Sequence, residues 1–227
     1  MKKNVFLYGA IIALSFLWTG SSFISIAYKL MESYTPLQID IYLVVIGYLL
    51  QAFGMFLFSL GLRYRPDIYT TKRFNIAIMI AEALVISFAI LTSSSSLTFS
   101  LSFLVNLLHG FVAGIYLTLL TRFVPQQYRG RCFGFGYAIG SIGSWIISLP
   151  YSGSFLKMDE IIIIYLILIA STIYLLMKSS FDYFTLEEPK TNFKFEIKFL
   201  IFVLSLLILL SMVKNIGFYF PVSDISN

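Results

Sequence analysis

Two side chains able to carry a proton stand inside otherwise apolar stretches of this 227-residue chain: Glu82, near the middle of the run 74–92, and His109, within the run 98–121. A charge at the centre of a bilayer costs at least about 2.5–3.5 kcal/mol on insertion scales, so an acid kept there is a functional candidate by default. Glu82 is a candidate for ion coupling; the plainer reading is a hydrogen bond to a neighbouring helix. His109 sits three residues after Asn106, on the same helical face. Imidazole changes charge near neutral pH, which suits cavity lining or proton transfer, while packing is the plain alternative. A third feature is a polar stripe in the first apolar run. Ser15, Trp18, Ser22, Ser25 and Lys29 recur every three or four residues, bordered by Thr19.

Other chemistries find no support in the letters. Cys132 is the only cysteine, which excludes an intrachain disulfide and a thiolate metal cluster. One histidine and a distant glutamate are too few for a metal site. No phosphate-binding glycine loop, nucleophile triad or zinc spacing is present, so neither an enzyme nor a cofactor is expected.

The elements that must position these residues are apolar runs at 5–28, 41–62, 74–92, 98–121, 132–152, 160–178 and 197–220. A spanning helix needs about 20 such residues, because the hydrocarbon core is about 30 Å thick. Lipid satisfies no backbone amide, so the spans must be helical. Composition agrees: 59% of residues are apolar and 12% charged, against about 45–50% and 25% in soluble domains. The fold class expected is all-α, a polytopic transmembrane helix bundle. The amino-terminal run is too long for a signal peptide, whose apolar region is about 7–15 residues. Most aromatics are expected to face lipid or anchor the interfaces, as at Tyr34, Tyr42 and Tyr69.

Charge sets an orientation. Lys2, Lys3, Arg63, Arg65, Lys72, Arg73, Arg122, Arg129, Arg131, Lys178, Lys190, Lys194 and Lys198 all fall in alternate connections or at the amino terminus. Cationic ends favour the cytoplasm, so the amino terminus is expected inside and the carboxyl terminus outside, in a multi-pass plasma-membrane protein. The net charge of +5 belongs to these short loops and implies no nucleic-acid partner. The longest polar connection, 179–196, separates a bundle at 1–178 from a seventh span and outer tail at 197–227. Small residues crowd the fifth run. Gly136 and Gly140 share one face, for tight packing or for a seam that slides.

The stretch 106–143 resembles the major facilitator superfamily. It reads N-L-L-H-G at 106–110 and F-V-P-Q-Q-Y-R-G-R at 123–131, with Gly110, Gly114, Pro125, Arg129 and Gly130 matching the family pattern. The resemblance implies a six-helix half followed by the seventh span of a second half. It also implies a cavity lined by spans 1, 2, 4 and 5, which nominates Trp18, Ser22, Gln51, Asn106, His109, Tyr137 and Ser141. Departures matter. Asn106 stands where the family has an arginine tied to proton antiport, and His109 takes a glutamine place. Arg65 replaces an acid in the loop after span 2, which leaves Asp67 as the nearest substitute. Ser141 follows Gly140 where antiporters have proline.

The function expected is secondary active transport of a small organic solute by alternating access, in a chain that holds a half plus one span. Glu82 and His109 are the coupling candidates. The partners expected are the bilayer, the solute, and a second transporter half or a homodimer partner, without which the chain alone does not transport. The alternative is a membrane-embedded sensor or regulatory domain built on a transporter-like bundle. Lys214 in a seventh span would suit a retinal protein, but the charge bias puts the amino terminus on the wrong side.

Overall fold

The computed structural model describes residues 2–152 and 158–179, all within one unit of the chain, Met1–Phe184. The connection at 180–196 and the seventh span at 197–220 lie outside the described residues. Every described element is helical. The long helices are α1 (Lys2–Met31), α3 (Ile46–Tyr64), α5 (Lys72–Leu91), α6 (Ser95–Phe123), α7 (Gln126–Ser152) and α8 (Met158–Lys178). The short α2 (Pro36–Ile39) runs through a π-helical stretch, Asp40–Val45, into α3, and α4 (Pro66–Tyr69) follows α3. Among the described residues five segments are long and apolar enough to cross a membrane: Val5–Met31, Pro36–Tyr64, Lys72–Leu91, Ser95–Phe123 and Glu160–Lys178. At 1.5 Å per residue, the 30 residues of α1 reach about 45 Å, beyond the about 30 Å of a hydrocarbon core.

The helix starts have local causes. Thr35 and Gln38 form a capping box with Pro36 at the first helical position of α2. Thr71 Oγ1 accepts from Phe74 N at 3.2 Å to start α5, and Ser94 Oγ accepts from Leu97 N at 3.3 Å to start α6. The connection between the first two long helices is shorter than the letters suggest. Lys29 is still helical, and Pro36 and Asp40 already belong to the second span, because the capping box starts the helix five residues before the apolar run.

Helices α1 and α6 form the centre. α1 packs on α5, α6, α7 and α8, while α6 also receives α3 and α5. The surface is apolar, with Leu49, Phe53 and Phe56 of α3 and Leu84 and Phe88 of α5 exposed. The interior holds Ser15, Ser22, Ser25, Asn75, Glu82, Ser102, Asn106 and His109, all buried. Polar groups inside and large apolar groups outside suit a lipid solvent rather than water.

Three cations close the ends of helices other than their own. A helix leaves its last carbonyls without intrahelical donors, and those carbonyls carry the negative end of its dipole. Lys29 Nζ, from α1, donates to the α5 end at Ala89 O (3.1 Å) and Ile90 O (2.6 Å), and to Thr92 O. Lys72 Nζ, from α5, donates to the α8 end at Met177 O (3.0 Å) and Ser179 O (2.7 Å). Arg129, from α7, donates through Nε to Val124 O at 2.9 Å and through Nη2 to Thr121 O, closing α6.

Candidate functional site: a buried acid–imidazole pair where three helices meet

Hydroxyls inside the bundle first satisfy themselves. Thr19 Oγ1 donates to Ser15 O at 2.7 Å and Ser25 Oγ to Ser21 O at 3.0 Å, each back to the preceding turn. These bonds let polar side chains lie on the inner face of α1 without opening its backbone. Ser22 differs. Its Oγ reaches Thr19 O at 3.1 Å and also lies 3.4 Å from His109 Nε2, across to α6.

That same imidazole nitrogen faces Glu82. Its Nε2 lies 3.1 Å from Glu82 Oε1, with the glutamate side chain fully buried and the histidine 4% exposed. The sequence reading set Glu82 apart from His109, 27 positions on. The structure brings them together, because α5 and α6 form an antiparallel pair with each residue near its helix midpoint. Ser22, His109 and Glu82 thus join α1, α6 and α5. The Trp18 ring stands edge-on to the imidazole at 6.4 Å between centroids.

The polar line continues one turn along α6. Asn106 Nδ2 donates to Ser102 O at 2.8 Å, and Asn106 Oδ1 accepts from Gln51 Nε2 of α3 at 2.8 Å. On the opposite side Tyr165 of α8 donates to Ser21 O at 3.0 Å and contacts Ser25 Oγ. Polar contacts therefore run from α3 through α6 and α1 to α8, with α5 attached through Glu82.

The chemistry available is proton storage. With the proton on the carboxyl group both side chains are neutral, and the Ser22 hydroxyl turns to Thr19 O. With the proton on the ring, an imidazolium stands 3.1 Å from a carboxylate as an ion pair. Either arrangement is neutral overall, which is what a low-dielectric interior favours. The site also holds unused valences. Both Glu82 carboxyl oxygens and Trp18 Nε1 have no hydrogen-bond partner among the described residues, although both side chains are fully buried. Among the described residues no three of His, Cys, Asp and Glu come together as a metal site would need.

The remaining predicted residues take separate places. Trp18, Ser22, Asn106 and His109 are buried and Gln51 is half-buried, whereas Tyr137 and Ser141 lie on the exposed side of α7. Gly110 and Gly114 form the crossing with α3, where an added Cβ would overlap Gln51 O and the Phe58 ring. Pro125 sits between α6 and α7 and accepts from Tyr128 N at 2.8 Å. Gly130 has nothing near an added Cβ, so packing gives no reason for its lack of a side chain. Asp67 pairs with Arg65 at 3.5 Å, and both are exposed. The sequence does not reveal the caps made by Lys29 and Lys72 or the Tyr165 tie. A basic residue beside a helix end is a signal for capping, but it does not name the helix that is capped.

Comparisons with protein-family models, curated proteins and solved structures found no match.

Proposed function

We propose that this chain is a membrane transport module in which the Glu82–His109 pair holds the coupling proton for a small organic solute. The supporting observation is the 3.1 Å contact between two buried ionisable groups at the middle of their spans. Ion-coupled transport requires a group that takes up and releases charge at bilayer depth. An acid and an imidazole sharing one proton are neutral together, and releasing that proton leaves one negative charge for the solute or a second ion to offset. The unused valences of Glu82 Oε2 and Trp18 Nε1 give an arriving proton or solute something to bind. Ser22 links the pair to α1, so a change in proton position alters a contact between helices.

In this reading a second bundle, or a second copy of the chain, faces the first, and the two rock about a site near the midplane. The amino terminus and the basic helix ends lie in the cytoplasm of a cell whose plasma membrane holds the protein.

The test is uptake by membrane vesicles containing the chain, over a panel of radiolabelled small neutral and amphipathic solutes, with an imposed pH gradient. The expected outcome is gradient-driven accumulation of at least one solute. Glu82→Gln should abolish accumulation against a gradient while leaving downhill exchange. His109→Gln should flatten the pH profile between 5.5 and 8. Accumulation by Glu82→Gln equal to wild type removes the pair from coupling. No uptake over the whole panel removes transport.

A further inference from the structure

One concavity lies outside the polar line. It is a groove of about 790 Å³ between the first halves of α1 and α7, within the about 300–1,000 Å³ of typical ligand sites. Its floor on α1 is made by Gly9, Ala10 and Ala13, whose small side chains leave the space open. Phe135 and Ile139 of α7, both exposed, form the far wall. None of the residues nominated for a solute cavity lines it.

Its length is informative. From Val5 to Leu14 on α1 and from Tyr128 to Ile139 on α7 the lining spans about 14–17 Å at 1.5 Å per residue. That is half of an about 30 Å hydrocarbon core, the depth of one leaflet. The groove begins near the starts of both helices and ends near mid-depth. It is apolar except at its outer end, where Arg131 and Tyr128 stand. Arg131 is exposed and makes no hydrogen bond or ion pair among the described residues, unlike Arg129 two positions earlier, whose guanidinium closes α6.

We propose that this groove binds an anionic phospholipid of the leaflet on the amino-terminal side, with an acyl chain between α1 and α7 and the phosphate on Arg131. Charge complementarity selects the occupant. A free guanidinium at headgroup depth, above a leaflet-deep apolar slot, matches a molecule with one anionic end and one long apolar end. Basic pockets between spanning helices on the cytoplasmic side recognise anionic headgroups in this way. The Tyr128 ring lies at the same level, where aromatic side chains suit the interface.

The experiment uses the full chain in nanodiscs doped with photoreactive phosphatidylglycerol or phosphatidylcholine, each carrying a diazirine on one acyl chain. Adducts are mapped by mass spectrometry. The expected result is preferential labelling of 132–139 and 5–14 by phosphatidylglycerol. Arg131→Gln should lower that labelling about fivefold, since one basic residue near a charged surface is worth about 1 kcal/mol. Arg131→Lys should restore most of it. Ala10→Trp should block labelling by filling the slot, and Ile139→Trp does the same from the other wall if Ala10→Trp fails to fold. Equal labelling by the zwitterionic analogue, insensitivity to Arg131→Gln, or cross-links to protein in place of lipid would each overturn the proposal.

Discussion

Where α3 crosses α6, two glycines, Gly54 and Gly110, meet backbone; where α1 crosses α7, glycines meet mostly side chains. A Cβ on Gly54 would strike Leu107 O, and one on Gly110 would strike Gln51 O and lie 2.8 Å from Met55 N. The two main chains there approach too closely to admit a Cβ, and the Gln51–Asn106 bond spans the same contact. Along α1 and α7 the obstructing atoms are mostly side-chain carbons: Ile12 Cγ2 at Gly136, Phe16 Cβ at Gly140 and Leu17 Cδ1 at Gly143. One polar tie in that seam is Ser144 Oγ, whose proton can go to Phe16 O, Leu17 O or Gly140 O, at 3.2, 3.0 and 2.7 Å; another is Cys132 Sγ, which donates to Val5 O at 3.6 Å. The first seam has one arrangement. The second has rotamers and alternative acceptors that permit small shifts.

Substitutions separate the two seams, and their effects should descend in order. Gly110→Ala should be the most damaging, by about 3 kcal/mol or more, because no rotamer can clear a backbone carbonyl. Unfolding in mixed detergent micelles would measure it, and a loss under 1 kcal/mol would refute the locked crossing. Gln51→Leu should cost about 0.5–1.5 kcal/mol, the usual worth of an interhelical bond in lipid, by stripping Asn106 Oδ1 of its donor. Ser144→Ala should cost about 0.6 kcal/mol or less, since that hydroxyl also serves its own helix. Gly143→Ala should be near neutral, because the atom in its way is the free end of Leu17. Disulfide trapping would sharpen the contrast. Cysteine pairs placed along α1 and α7 should cross-link in more than one register, and pairs along α3 and α6 in a single one.

Five of the seven runs are helices long and apolar enough to span, because run length and lipid chemistry leave such a segment no alternative. The run 132–152 is helical as α7 but is not among those five, and 197–220 lies outside the described residues. Rotation of each helix about its axis was less readable. The stripe Ser15, Trp18, Ser22, Ser25 looked like the wall of a cavity, yet those side chains pack against neighbouring helices. Hydroxyls that bond their own turn can be buried as easily as apolar groups, so polarity alone did not distinguish a cavity from a packed face. Glu82 and His109 were each visible as costly residues, but their distance depends on how α5 and α6 are turned, and both helices are apolar nearly all round. Gly110 and Gly114 stood out as letters, but the surface they fit belongs to α3.

Lys72 has a consequence for biosynthesis. Its acceptors, Met177 O and Ser179 O, lie 105 and 107 residues later. At about 5–20 residues per second, the ammonium waits roughly 5–20 s after emerging before the carbonyls it closes exist. The third span must therefore first settle in the bilayer with that end open to water, and docking of the last described helix completes it.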